Sequence, residues 1–195
     1  MKLIDISRTV QEAPIYPGAS PILVEQVYDM NKGDPFNASK ITTGSHMGTH
    51  ADAGRHFVKG NTIGVDQLEL FRFYGPCRVV TVPEKTLITK AALEGKIEGC
   101  ERLVIHGGGQ SYLTKDAADY IVEKGVLTVV TDGWSIAPMD NEAEIHEIIL
   151  APGLAVVENV ILDGVTDGDY ILCAFPIKIG GCDGSPVRAV LIAED

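Results

Sequence analysis

The chain has 195 residues, of which 45% are hydrophobic and 22% charged, a composition typical of globular proteins. Its formal net charge of −11 at pH 7 would repel the phosphates of nucleic acids and anionic lipids, so we expect neither as a partner. No apolar run reaches the ~18 residues of a membrane-spanning helix, and the N-terminal segment lacks the apolar core of a signal peptide. We therefore expect one domain over residues 1–195, in the cytoplasm.

The first third of the chain is rich in predicted strands. Alternating and apolar segments predict strands over residues 2–10, 22–29 and 38–46, and a Pro/Gly-rich loop covers 13–21. The third strand leads directly into a histidine-rich segment, residues 46–56. That segment is therefore expected at a strand end and in the following loop, where functional residues are common.

The remainder alternates helices with strands. Helical patterns begin after Thr89 and Thr114, which we interpret as N-caps, and Gly125 ends the second helix. The predicted helices cover residues 90–99, 114–124 and 142–150. The predicted strands cover residues 77–82, 102–106, 126–131, 154–162, 169–179 and 186–193. This order predicts an α/β fold with a mixed sheet and helices packed against part of it.

The sequence contains four cysteines, at positions 77, 100, 173 and 182. None belongs to a C-x-x-C pair, and we expect isolated reduced thiols.

Residues 46–56 read HMGTHADAGRH and hold three of the five histidines of the chain. In an extended backbone the even-numbered side chains share a face, and Gly48 and Gly54 would let the chain bend toward a metal. Two imidazoles and a carboxylate suit zinc or manganese, with an open position for a water whose pKa falls toward ~7. The predicted site consists of His46, His50, Asp52 and His56.

Two further candidates lie far along the chain. Glu158 is the lone charge in the apolar run LAVVENVI, and a buried carboxylate costs several kcal/mol unless it is paired or bound to a metal. It either faces water at a strand edge or meets a cation. His146 lies on a predicted helix, and its HE pair is not a zincin motif because Leu150 replaces the second histidine.

His106 and Arg188 are expected to have structural rather than catalytic roles. His106 ends a predicted strand before three glycines, which could cradle an anion, although no dinucleotide fingerprint follows. We interpret it as structural or pocket-lining. Arg188, in an apolar strand, is expected to pair with an acid.

The segment HMGTHADAGRHF resembles the H-x-G-T-H-x-D-x-P-x-H-F signature of the cyclase family of metal-dependent hydrolases, which includes bacterial kynurenine formamidases. The likeness extends over nearly the whole chain. Further matching stretches are YPGASP at 16–21, TDGWSIAP at 131–138 and GCDGSPVRAVL at 181–191. The resemblance implies a swivelling β/β/α type of fold, with a mixed sheet or barrel-like core and flanking helices. It also implies a homo-oligomer, a dimer or a tetramer.

The resemblance also implies a role for each candidate residue. By position, the first metal takes two histidines, two carboxylates bridge to a second metal, and a later histidine completes the second site. The implied metal ligands are His46, His50, Asp52, His146 and Glu158. His56 would be the proton donor and acceptor, and Tyr16 falls where family formamidases often place a tryptophan against the substrate. Zn²⁺ is the expected metal, with Mn²⁺ as the alternative, and one or two ions per subunit.

The implied activity is hydrolysis of an amide C–N bond in a small molecule, as in the arylformamidase step of tryptophan catabolism. The chain departs from the family pattern around the substrate. Gly54 replaces a proline, which should loosen the loop that presents His56, and Ala19 replaces an aspartate. Trp134 and Ala137 also differ from the residues that family formamidases have at these positions. Hydrolysis of a cyclic amide or lactone, as by isatin hydrolase, and a non-catalytic metal- or ligand-binding role are therefore the alternatives.

Overall fold

A computed structural model describes residues 1–193 of the chain. Within these residues the α-helices are α1 Lys90–Leu93, α2 Lys115–Glu123 and α3 Glu142–Leu150. The strands are β1 Lys2–Asp5, β2 Leu23–Tyr28, β3 Ala38–Thr42, β4 His50–Asp52, β5 Tyr74–Thr81, β6 Leu87–Ile88, β7 Arg102–His106, β8 Tyr112–Leu113, β9 Thr128–Thr131, β10 Ala155–Glu158, β11 Gly168–Cys173, β12 Gly184–Pro186 and β13 Val190–Ala193. None of the helices in these residues has the length and apolar character needed to cross a membrane.

One mixed sheet of nine strands dominates the fold, in the order β1-β13-β11-β5-β7-β9-β10-β4-β12. Its centre, β5-β7-β9-β10, is parallel, and both flanks are antiparallel. The central strands are apolar and buried, as expected of parallel strands covered on both faces. β2 and β3 form a separate hairpin, and β6 pairs with β8. The predicted α/β fold with a mixed sheet is confirmed.

The two faces of the sheet bury different clusters. Along β7, Leu103 and Ile105 join the cluster that includes the apolar faces of the three helices, whereas Val104 points to the opposite side. The cluster on that opposite side draws most of its members from the sheet's own strands, from Ala51 in β4 to Leu191 in β13. The sheet therefore curls around this second core, and the helices cover only the outer face of the sheet.

Several elements differ from the sequence predictions. The predicted helix 90–99 ends at Leu93, because Glu94 leaves the helical conformation, with a ψ of 134°, and Gly95 adopts a φ of +76°. Thr89 and Thr114 occupy N-cap positions, but neither side chain caps its helix. The third strand ends at Thr42, so it does not lead directly into the histidine segment.

β4 and β12 were not predicted, because segments of three residues carry no readable alternation. The expectation of an extended histidine segment holds only for β4. His46 and His56 lie in the turns that precede and follow it.

Other expectations are confirmed. α3 has the predicted bounds, and α2 begins one residue later and ends one residue earlier than predicted. All four cysteines are free thiols. Arg188 pairs with Asp5, with 3.0 Å between the arginine Nε and the carboxylate Oδ1.

Candidate metal centre and active-site cleft

The pairing of β4 with β10 brings Glu158 next to the histidine segment. β4 runs antiparallel to β10, and His50 lies directly opposite Glu158. Since Ala51 and Val157 face the inner core, the residues on either side of them face the helices. His146, buried on α3, approaches from that side. Three segments of the chain thus meet at one point.

The two buried histidines present the same ring nitrogen to this point. Nδ1 of His50 donates to the Gly48 carbonyl at 2.9 Å, and Nδ1 of His146 donates to the Glu142 carbonyl at 2.8 Å. Because a carbonyl only accepts, each Nδ1 carries the proton, and each Nε2 is left facing the site. Such backbone contacts fix the tautomer and orientation of metal-binding histidines.

Two buried carboxylates surround these Nε2 atoms. Nε2 of His50 lies 3.4 Å from Oδ1 of Asp52 and 3.4 Å from Oε2 of Glu158. Nε2 of His146 lies 3.3 Å from Oε1 of Glu158 and 3.8 Å from Oδ2 of Asp52. Glu158 is only 4% exposed, so the alternative of an edge residue facing water is wrong.

The outer part of the site contains His46, His56 and a third carboxylate. Nδ1 of His46 lies 2.8 Å from Oδ1 of Asp52, and its Nε2 lies 3.1 Å from Oδ2 of Asp183. The His56 ring stacks on His46 with 3.8 Å between ring centroids, and its Nδ1 is 3.7 Å from Asp183. Ser45 donates a 3.0 Å hydrogen bond that holds Asp183 in place.

Asp183 was not predicted as a site residue. The signal that could have found it is its place in the C-terminal GCDGSPVRAVL stretch, close to family sequence.

The titration of these groups reflects burial among opposite charges. Burial by itself lowers the pKa of His50, but hydrogen bonds and charge from Asp52 and Glu158 raise it to about 10. Burial lowers the pKa of His56 below its ordinary 6.5. Burial would raise the pKa of Asp183, yet His46 and Ser45 lower it to about 2. In the metal-free centre the positive charge therefore lies on His50 rather than on His56.

The donor set fits a divalent cation. Three overlapping groups each have ligand atoms within 4.8 Å of one another; His46 belongs to two of them, and Asp52 belongs to two. Oδ2 of Asp52 is buried and has no hydrogen-bond partner among residues 1–193. A buried carboxylate oxygen without a donor is expected where a cation completes its contacts. The groups are His46, His50 and Asp52; Asp52, His146 and Glu158; and His46, His56 and Asp183.

A cleft of about 250 Å³ opens above these residues, and aromatic side chains line it. The rings of Tyr16 and Trp134 lie 5.8 Å apart, and Phe57 stacks on His146 at 4.3 Å. The Tyr16 hydroxyl donates to Oε2 of Glu142 at 2.7 Å, a contact that raises its pKa to about 12. The walls suit a flat aromatic molecule, and Tyr16 stays protonated within them.

The loop that presents His56 contains Gly54, where the family has proline. The His56 N–H donates to the Ala53 carbonyl at 2.9 Å, and Val58 donates to Gly54 at 2.9 Å. A Cβ on Gly54 would lie 2.4 Å from Nδ2 of Asn61. The glycine thus gives room for the Asn61 amide beneath the loop.

The glycines after His106 hold an internal anion. The backbone N–H groups of Gly107 and Gly108 donate to the Asp132 carboxylate at 2.9–3.1 Å. Nε2 of His106 lies 4.0 Å from Oδ2 of the same carboxylate. The anion that this glycine turn holds is therefore a side chain of the chain itself, which agrees with a structural role for His106.

The model of the Cyclase family matches residues 4–138. The chain belongs to the Cyclase family. A kynurenine formamidase of Bacillus cereus is 35% identical over 201 residues, which cover 96% of each protein.

Two solved structures share the cyclase fold of this chain. One, described as a potential metal-dependent hydrolase with cyclase activity, has a TM-score of 0.84 at 23% identity, and the match covers 100% of this chain and 99% of the other. An isatin hydrolase bound to the product analogue thioisatinate has a TM-score of 0.85 at 18% identity, with 100% and 93% covered. His146, Glu158 and Asp183 lie beyond the residues matched by the Cyclase model, so their approach to the motif is a finding of the structure.

Proposed function

We propose that this cyclase-family chain is a metal-dependent amidohydrolase that cleaves the non-peptide C–N bond of a small aromatic amide, as an arylformamidase does. The observation that carries the proposal is the convergence of five side chains with metal-binding atoms, from three segments, beside an aromatic cleft. The kynurenine formamidase relative, similar over nearly its full length, supports the same reaction.

The proposed ligands divide into two groups that share Asp52. His46 and His50 would hold one ion with Asp52, and His146 and Glu158 would hold a second with the same carboxylate. Imidazoles with carboxylates suit Zn²⁺, with Mn²⁺ as the alternative. A bound ion lowers the pKa of a water toward ~7 and polarises the substrate carbonyl.

His56 is the proposed acid and base. It lines the cleft, and its lowered pKa favours the unprotonated imidazole, the form that can accept a proton. It takes a proton from the attacking water and returns one to the leaving nitrogen, as the C–O bond forms and the C–N bond breaks. Asp183, 3.7 Å from its Nδ1, favours the imidazolium that forms. Amide and water thus become a carboxylic acid and an amine.

Aromatic residues position the substrate in this proposal. Tyr16, Phe57 and Trp134 would sandwich a flat ring and exclude water from the reacting carbonyl. Because the Tyr16 hydroxyl already donates to Glu142, its ring rather than its proton is available to the substrate.

The test is a substrate panel run on protein of measured metal content. N-formylkynurenine should be hydrolysed to formate and kynurenine, and a chelator should abolish turnover until metal is restored. His50→Ala should lose both metal and activity, whereas Lys96→Gln, at an exposed position in another part of the fold, should lose neither. Purified protein that turns over the substrate without divalent metal would contradict the proposal.

A cyclic amide or lactone is the second candidate substrate. The tilted Tyr16–Trp134 pair differs from the family residues and could accept a fused ring. Turnover of isatin or an aryl lactone, with none of N-formylkynurenine, would favour this reaction. Stoichiometric metal binding with no turnover of any panel member would indicate the non-catalytic role.

We also propose that the chain forms a homo-oligomer in the cytoplasm. The β2–β3 hairpin exposes large apolar side chains, including Leu23, Val27 and Ile41, and such patches mark association surfaces. Sedimentation of the wild type and of Ile41→Lys should show a dimer or tetramer that the substitution weakens. A monomeric wild type would contradict this proposal.

A further inference from the structure

A second cleft adjoins the active-site cleft. It measures about 540 Å³ and shares three lining residues with the first: Pro14, Trp134 and Asn159. A molecule whose amide lies above the metal ligands can therefore extend past Trp134 into this second space. None of the proposed metal ligands lines it.

The second cleft carries positive charge in a protein of net charge −11. Arg8 and Lys85 both line it, and neither forms an ion pair with a carboxylate of residues 1–193. Nε of Arg8 is buried and has no hydrogen-bond acceptor within that part of the chain. A buried guanidinium N–H without an acceptor is unfavourable, and an anionic ligand would satisfy it.

Asp132, the acid that lines this cleft, already accepts hydrogen bonds from the backbone. Both oxygens of Asp132 accept backbone N–H groups, from Gly107 and Gly108. These amides satisfy the carboxylate and hold it in place, so Arg8 and Lys85 remain available to a ligand.

Backbone strain is also concentrated here. Lys85 has a φ of +56° and Asn159 a φ of +61°, and they are the two non-glycine residues with positive φ in the described chain. Both line the second cleft. Non-glycine residues whose backbone is held at positive φ are associated with binding and catalytic sites.

Asn159 occupies the junction of the two clefts. It is 4% exposed, and its backbone N–H and carbonyl are bonded to Gly133 and Thr49. Asn159 lines both clefts, so its side-chain amide offers donors and an acceptor to a ligand that crosses between them.

We infer that the second cleft binds a carboxylate carried by the substrate, with Arg8 as its main partner and Lys85 as a second positive charge. This inference rests on the proposed amidohydrolase function and narrows it to aromatic amides that bear a carboxylate. Arg8 can hold a carboxylate through two parallel N–H bonds, whereas the exposed Lys85 acts as a point charge.

The kinetic test compares N-formylkynurenine with its carboxamide, in which the carboxylate alone is replaced. We expect wild-type kcat/KM to favour the carboxylate by about 10- to 100-fold, the range of a charge-assisted hydrogen bond. Arg8→Gln should remove most of this preference through KM, Arg8→Lys should retain part of it, and Lys85→Gln should reduce it less. Lys96→Gln, with the same charge change at a distant exposed position, should leave the ratio unaltered.

A binding measurement keeps the inference separate from catalysis. Trp134 is the single tryptophan and lines both clefts, so its fluorescence reports occupancy. Kynurenine should quench it with a Kd about tenfold or more below that of kynurenine carboxamide, and Arg8→Gln should abolish the difference. Equal binding of the two by wild type would overturn the carboxylate site while leaving hydrolysis intact. Absence of turnover with selective binding would overturn only the proposed reaction.

Discussion

Replacing His56 with alanine separates two roles that the geometry allows. His56 stacks on the proposed ligand His46, and together with Asp183 they form a group that could itself hold a metal. As acid and base, however, His56 would be needed for proton transfer and not for metal retention. The five proposed ligands outside this role remain intact in His56→Ala.

The expected loss of turnover follows from the protonation state of the His56 imidazole. Burial lowers the pKa of His56 below 6.5, so at pH 7.5 most of the imidazole is an available base. A positioned acid or base contributes about 10²–10⁴-fold to the rate. At 1.36 kcal/mol per tenfold, the substitution should raise the barrier by about 3–5.5 kcal/mol.

The assay is kcat and kcat/KM for N-formylkynurenine, with metal content measured on the same sample. Phe57→Leu is the matched control, because Phe57 packs against both His56 and His146 but cannot carry a proton. His56→Ala should keep its metal, lose turnover and lose the acidic limb of the pH profile, whereas Phe57→Leu should keep that limb. Loss of metal in proportion to activity, or retention of full activity, would refute an acid–base role.

Three further predictions concern titration and positioning. Asp183→Asn should shift the acidic limb of kcat/KM to lower pH, because the Asp183 charge raises the pKa of His56, and an unchanged limb would contradict the contact. The metal-free protein should lose thermal stability as pH rises from 6.5 toward 10, because a raised His50 pKa contributes stability that is complete below 6.5 and lost above about 10. Saturating Zn²⁺ should flatten this dependence; a melting temperature independent of pH would count against it. Cys77, whose pKa burial raises to about 12, should resist iodoacetamide at pH 8 in the folded protein and react after denaturation, and rapid labelling of the native protein would disprove its burial.

Local pattern was sufficient for much of the fold and for the core of the site. The helical period over residues 142–150 predicted α3 with its bounds, and apolar runs located the parallel centre of the sheet. The spacing in HMGTHADAGRH identified its own candidate ligands, because all lie within a few residues of β4. The lone charge of Glu158 in an apolar run also signalled a buried partner.

Contacts between residues far apart in the sequence could not be predicted from local pattern. The pairing of β4 with β10, 108 positions apart at His50 and Glu158, is set by which strands pack together and not by either strand's own pattern. β12 was too short to predict, yet Asp183 beside it reaches His46 and His56. The failure at residues 90–99 is local, because Gly95 ends the helix within a periodic stretch.

The sequence by itself determined which residue types could bind a divalent ion, since imidazole and carboxylate chemistry belongs to the side chains wherever they lie. The tertiary structure alone decided that Arg8, Lys85 and Asn159, which carry no shared motif, line one cleft beside those ligands. The physical reason is that curling a nine-stranded sheet brings together loops from distant parts of the chain, and this curvature accumulates from strand to strand across the whole sheet.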